Sequence, residues 1–138
     1  MARFDSREFF ALYGDLSLSD QPEQLSELYG EAFVAADPER TGAFPNDDTF
    51  KQWLRGLRES NIEHGMQSMD VLGVADQQLG ETFVLTTVNW GARFEKTGDQ
   101  IIPFDVSYMV NVSGEEPKII GYFSHRTQEG EMKKWGLL

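Results

Sequence analysis

Residues 81–112 read ETFVLTTVNWGARFEKTGDQIIPFDVSYMVNV. Apolar side chains fall at every second position in two runs, and Lys96-Thr97-Gly98 separates them. A period of two on both sides of a short glycine-bearing loop predicts an antiparallel hairpin. A three-residue loop with glycine in the left-handed position pairs Glu95 with Asp99. That register places Val84, Thr86, Val88, Trp90 and Ala92 on the same face as Ile102, Phe104, Val106, Tyr108 and Val110. Asp105, Ser107 and Asn111 fall on the opposite face, so the first set is the expected interior. Gly91 and Pro103 lie inside these runs and mark bulges that bend the sheet.

Working outward, two further strand-like runs flank the hairpin, at residues 66–75 and 119–127. The connections are too short for crossover helices, so antiparallel pairing is expected throughout. Pairing Val112 with Ile119 sends Ile119, Phe123 and His125 inward and sets Arg126 beside Asp105. A slip of one residue would turn Ile120 and Tyr122 inward instead. Upstream of Gly65 the period is helical. Asp5 or Ser6 caps a short helix carrying Phe9, Leu12, Tyr13 and Leu16, which Gly14 and Asp15 weaken. From Asp20, with Pro22 in the first turn and Glu23 placed for a capping box, Leu25, Leu28, Tyr29, Ala32 and Phe33 predict an amphipathic helix ending before Asp37-Pro38. Residues 39–45 read as irregular chain. Asn46 caps a third helix with Phe50, Trp53, Leu54 and Leu57 as its apolar stripe, and His64 helps to end it. The expected fold class is therefore α+β: three N-terminal helices packed on a strongly curved antiparallel sheet, in a single domain over residues 1–138.

Composition narrows the function. Lys and Arg number 12 against 23 Asp and Glu, a net charge of −11. Residues 1–48 alone carry eleven carboxylates and three cations. Such an excess opposes binding to phosphate backbones, so no nucleic-acid partner is expected. There is no cysteine, which removes thiolate chemistry and disulfides. Two histidines some sixty residues apart, among scattered carboxylates, give no metal-ligand spacing. No run approaches the ~20 apolar residues of a membrane span, and the Met-Ala-Arg-Phe-Asp start is unlike a signal core. A cytoplasmic location without membrane contact is the expectation, and no cofactor motif is present.

The order of elements resembles a known superfamily. A Tyr-x-x-x-Phe segment runs into Asp37-Pro38, a capped Asn-Asp-Asp-x-Phe helix follows, and long strands then carry Val-x-Trp, the glycine hairpin, Ser107-Tyr108 and a closing Tyr-x-Ser-His. This is similar to the nuclear transport factor 2-like superfamily of cone-shaped, cystatin-like rolls, in its SnoaL-like branch, which also holds ketosteroid isomerases and polyketide cyclases. The resemblance covers nearly the whole chain. It implies a small-molecule pocket inside the cone and, in isomerase-like members, a proton-abstracting carboxylate at the Asp-Pro step, here Asp37. Those isomerases complete the site with a Tyr on the first helix and a protonated Asp on the sheet. Tyr13 matches the first, and no inward Asp matches the second.

Asp37 and His125 are the candidate catalytic residues, as groups that could move a proton in an enclosed apolar pocket. A turn acid and a satisfied core histidine are the alternatives. Trp90, Tyr108, Phe104, Phe123 and Tyr13 are the candidate ligand-binding residues, apolar walls with polar handles suited to a small apolar or ring-containing molecule. Core packing accounts for the same residues. Two functions follow: a cofactor-independent isomerase, cyclase or dehydratase, or a non-catalytic ligand-binding or dimerisation domain. Phe83, Leu85, Met109, Ile120 and Tyr122 interrupt the polar outward positions of the strands, and so a homodimer is expected.

Overall fold

The computed structural model describes residues 4–136. Helix α1 (Ser6–Leu18) starts where Asp5 accepts a hydrogen bond from the Glu8 N–H and runs on past Gly14. A 3₁₀ segment (Pro22–Leu28) leads into strand β1 (Tyr29–Ala36), which turns back as β2 (Thr41–Pro45). Helix α2 (Asp48–Glu63) follows, with the Asp47 carboxylate accepting from the Phe50 N–H and His64 at its C-cap. The His64 ring donates from Nδ1 to the Ser60 carbonyl at 2.7 Å. Strands β3 (Met66–Leu79), β4 (Phe83–Phe94), β5 (Ile102–Asn111) and β6 (Lys118–Ser124) come next, and α3 (Gln128–Lys134) ends the fold.

The six strands form one sheet in the order β2-β1-β6-β5-β4-β3. The pairs β3–β4, β4–β5 and β5–β6 are antiparallel, whereas β1 lies parallel to β6. The sheet is thus mixed, on an α+β frame. The expected helix over residues 20–36 is corrected: only its first part is helical, as a 3₁₀ segment, and the remainder is strand. Residues 39–45, read as irregular, contain β2. Two neighbours outweigh local helical spacing here, since β1 gains hydrogen bonds from both β2 and β6 while Tyr29 and Phe33 still reach the core.

Strand β4 pairs β5 with Val84 opposite Val110 and Ala92 opposite Ile102, the register expected from the loop, and Gly98 takes a positive φ of 63° at the turn. Val84, Thr86, Val88, Trp90, Ala92, Ile102, Val106, Tyr108 and Val110 are all buried. Helix α1 closes over this inner face. A Cβ on Gly14 would stand 2.7 Å from the Met69 carbonyl oxygen and 3.1 Å from the Trp90 ring, so the glycine that weakens the helix is what lets it seat against the sheet. Ser6 and Thr86 both donate to the Asp76 carboxylate, at 2.9 and 2.8 Å, and pin the start of α1 to β3 and β4. Met132 of α3 covers a smaller cluster of Ala92, Phe94 and Ile102 at one end of the same face.

Candidate functional site

The inner face gathers all four tyrosines of the chain. Tyr13 on α1, Tyr29 on β1 and Tyr108 on β5 are buried, and Tyr122 on β6 is partly buried against Tyr108, with ring centroids 5.5 Å apart. Trp90 Nε1 donates to the Tyr108 hydroxyl at 3.1 Å, and the hydroxyls of Tyr13 and Tyr29 are 2.7 Å apart. Phe10 fills the space between them, its ring 4.5 Å from that of Tyr108 and 6.4 Å from that of Trp90. Burial raises the pKa of Tyr13, Tyr29 and Tyr108 well above the ordinary phenol range. Tyr122 is pushed up to about 12, first by burial and then by the negative charge of Asp37.

Three of the expected ligand-binding residues, Tyr13, Trp90 and Tyr108, therefore come together. They meet as packed neighbours, with ring centroids 5.5 to 5.8 Å apart. Phe104 lies at the rim, against both the main core and the cluster under α3.

Asp37 sits in the β1–β2 turn. Its Oδ1 accepts from the N–H groups of Glu39 and Arg40 at 2.8 and 2.9 Å, and the Arg40 guanidinium lies 4.0 Å from Oδ2. The side chain is 23% exposed. This is the geometry of a turn acid, with one addition: its field reaches the Tyr122 phenol.

His125 and Phe123 require a correction. Val110 pairs with Ile119, but Met109 pairs with Gly121, and the extra residue, Ile120, is a bulge. Beyond it the facing inverts. Tyr122 opposes Tyr108 on the inner face, while Phe123 opposes Ser107 on the outer one. His125 is exposed on the outer face, where Nε2 lies 2.8 Å from Ser107 Oγ and the backbone N–H reaches the Asp105 carbonyl. Arg126 turns to Glu131 of α3 at 2.9 Å rather than to Asp105, whose carboxylate takes the Asn89 amide instead. The bulge takes one member from each of the apolar pairs that competed in the sequence, turning Ile119 and Tyr122 inward and leaving Ile120 and Phe123 outside. Tyr29, Tyr122 and Asp76 are inner-face residues that the expected site lacked. Tyr29 lies in a stretch whose spacing predicts a helix, Tyr122 turns inward only through the bulge, and Asp76 lies just beyond the strand expected at residues 66–75.

Two of the hollows on the described residues bear on the site: one lies away from the aromatic cluster, and the other is lined in part by Tyr29 of that cluster. One, of about 300 Å³, runs between α3 and the ends of β5 and β6, and includes Phe104, Asp105, His125 and Trp135. The other, of about 450 Å³, is lined by Tyr29, Gly30, Glu31, Asn46 and Lys118. Among the described residues no three metal-binding side chains gather, and no helix is long and apolar enough to cross a membrane.

Comparison with known proteins agrees with this architecture. A family model described as NTF2-like protein (DUF6841) matches residues 5–127. An NTF2-like protein with a cystatin-like fold from Novosphingobium aromaticivorans superposes with a TM-score of 0.66 at 16% identity, covering 96% of this chain and 86% of that one. A putative ketosteroid isomerase from Parabacteroides distasonis gives 0.56 at 13% identity, covering 83% and 81%. The beta subunit of the benzoate 1,2-dioxygenase from Burkholderia mallei gives 0.60 at 14%, covering 94% and 95%. At these identities the likeness is one of fold. A search of the curated proteins found no match.

Proposed function

The chain belongs to the NTF2-like family DUF6841, and from that premise we propose that it is a non-catalytic assembly domain that pairs with a second copy through the outer face of its sheet. The observation that carries this reading is the filled cone. Helix α1, seated by Gly14, and the rings of Phe10, Tyr13, Trp90 and Tyr108 pack together over the inner face, where the resemblance implies a pocket. The two candidate proton carriers are apart from it, His125 outside the sheet and Asp37 bound to its own turn. What the fold leaves unspent is on the other side. Phe83, Leu85, Met109, Ile120 and Phe123 remain partly exposed on the outer face, with Phe123 taking the place expected for Tyr122. The ring of Phe123 lies over Gly121 beside Met109, so these side chains form a connected patch. Such a patch favours burial against a partner, and a self-complementary face gives a two-fold dimer. Light scattering at micromolar concentration is expected to give twice the chain mass, and a monomer mass would reject the proposal.

A second reading rests on Asp37 and Tyr122. A carboxylate whose field reaches a phenol at the edge of a tyrosine cluster is an arrangement that a small ligand with a polar handle could join. Mass spectrometry of an organic extract of the purified protein tests it. A co-purifying small molecule that is lost from Asp37→Asn would support a ligand site, and a clean extract counts against one.

A further inference from the structure

Strand β2 ends the sheet on one side, and its backbone facing follows from two hydrogen bonds. The Asn46 N–H donates to the Glu31 carbonyl, and the Asp37 N–H to the Arg40 carbonyl. In an antiparallel ladder bonded pairs alternate. The pairs 33–44 and 35–42 therefore bond across to β1, and Thr41, Ala43 and Pro45 turn their backbone groups away from it. The free edge thus offers the N–H groups of Thr41 and Ala43 and the carbonyls of Thr41, Ala43 and Pro45. Proline sits at an outward position, where its missing N–H costs no bond within the sheet. The opposite edge, β3, is broken by two register shifts, carries exposed Asp70, Asp76, Gln77 and Gln78, and has α1 beside it. Those are the usual protections of an edge strand, and β2 has only its shortness and the proline at its end.

The surroundings of β2 are apolar at the centre and acidic at the ends. Phe44 is 46% exposed and lies back over Gly42, where any Cβ would collide with its ring at 2.7 Å. Its ring contacts Phe33, which leads through Phe50 to Trp53, 60% exposed on α2. Glu31, Asp37, Glu39, Asp47 and Asp48 surround this strip against Arg40, Lys51 and Lys118, and these cations already face Asp37, Asp48 and Glu116. A second copy of the strand would bring the same acidic excess with it.

We infer that the β2 edge is a docking site for an extended cationic segment of another protein, which adds as a strand beside Thr41–Pro45, lays an apolar side chain on Phe44 and sets its basic residues against the flanking carboxylates. Backbone pairing supplies affinity and the acidic ends select the charge.

The test uses the full chain and two short fluorescein-labelled peptides, one alternating lysine with valine and the other glutamate with valine, read by fluorescence anisotropy. The lysine peptide should bind saturably and lose affinity with added salt, and the glutamate peptide should not bind. Ala43→Pro deletes one outward N–H without touching a β1–β2 bond or any charge, and should weaken binding by about tenfold. Phe44→Ser, also charge-neutral, should weaken it as well, and this keeps the test decisive if Ala43→Pro disturbs the circular dichroism. Equal binding by the parent chain and both variants would mean diffuse adsorption on an acidic protein and would overturn the inference. So would failure of the lysine peptide to bind, or an assembly larger than a dimer that Ala43→Pro dissolves, since β2 would then pair with its own copy.

Discussion

The two faces of β4 and β5 are made by alternate residues of the same two strands and have different fates. On the inner face Val84, Thr86, Val88 and Trp90 meet Val110, Tyr108, Val106 and Phe104, and α1 closes over them. On the outer face Phe83 and Leu85 meet Asn111 and Met109, then Thr87 meets Ser107 and Asn89 meets Asp105, and among the described residues the helices pack on the other side. Apolar content alone does not separate the two faces. Closure does. A face that the chain covers itself reports on stability, and an apolar face that it leaves open reports on what it meets.

The largest test of this contrast is at Trp90. It is fully buried, touches Phe10 and Tyr13, and donates to Tyr108. Trp90→Ala should cost about 3–5 kcal/mol in chemical denaturation, with the Tyr108 hydroxyl also losing its donor. A loss below about 1 kcal/mol would mean that the interior is loosely filled and has room for a ligand.

The tyrosines sharpen the contrast through pH. All four have pKa values raised in the folded state, mainly by burial. In the unfolded chain they ionise near about pH 10. Between that pH and the folded values the unfolded state holds fewer protons, so stability falls as pH rises. It should be unaffected by these groups below about pH 9 and decline above about pH 10. Phenolate absorbance should appear together with unfolding rather than before it. A tyrosine titrating near pH 10 in the folded protein would show water inside the cone.

How far all this was legible in the sequence depends on how local the deciding interaction is. The β4–β5 register was legible because alternation of period two is local, although the expected three-residue loop is a longer connection between Phe94 and Ile102 that begins with a 3₁₀ turn over Glu95–Thr97. Residues 29–33 were not. Tyr29 and Phe33 are four apart, a spacing that shares a face in a helix and in a strand alike, and the choice was made by β6, some ninety residues away. The bulge at Ile120 was hidden for a related reason. It resolves a competition between two apolar pairs that only the partner strand can arbitrate, and the facing of His125 and Phe123 depended on it. Of the candidate site, the aromatic grouping of Tyr13, Trp90 and Tyr108 could be read from alternation. That they would pack on one another could not, since it turns on the depth to which Gly14 admits α1.

Gly14 offers a smaller and more specific test. Gly14→Val would drive a branched side chain into the Met69 carbonyl and the Trp90 ring, and overpacking of this kind costs about 1–3 kcal/mol. The expected result is a lower midpoint in denaturant with near-unchanged helix signal. An unchanged midpoint would show that α1 can lift from the sheet at little cost and that the cone opens readily.

The smallest effect on the fold is expected at Leu85, and it bears most directly on the open face. Leu85 pairs with Met109 and with Gln77 on the outer side, away from the aromatic cluster. Leu85→Glu removes little that the single chain uses, so unfolding extrapolated to low protein concentration should shift by no more than about 0.5 kcal/mol. Assembly should respond differently. In a two-fold dimer the substitution occurs twice across one interface, placing two new carboxylates against apolar surface, and each isolated buried charge costs several kcal/mol unless paired. Light scattering should then give a monomer at concentrations where the parent chain is a dimer. The thermal midpoint of the parent should rise with protein concentration while that of the variant stays constant, because only a folded state stabilised by association depends on concentration. If both midpoints were concentration-independent and both masses monomeric, the outer face would be free in solution and its exposed apolar residues would need another partner. If the variant unfolded as severely as Trp90→Ala, Leu85 would belong to the core and the division between the two faces would fail.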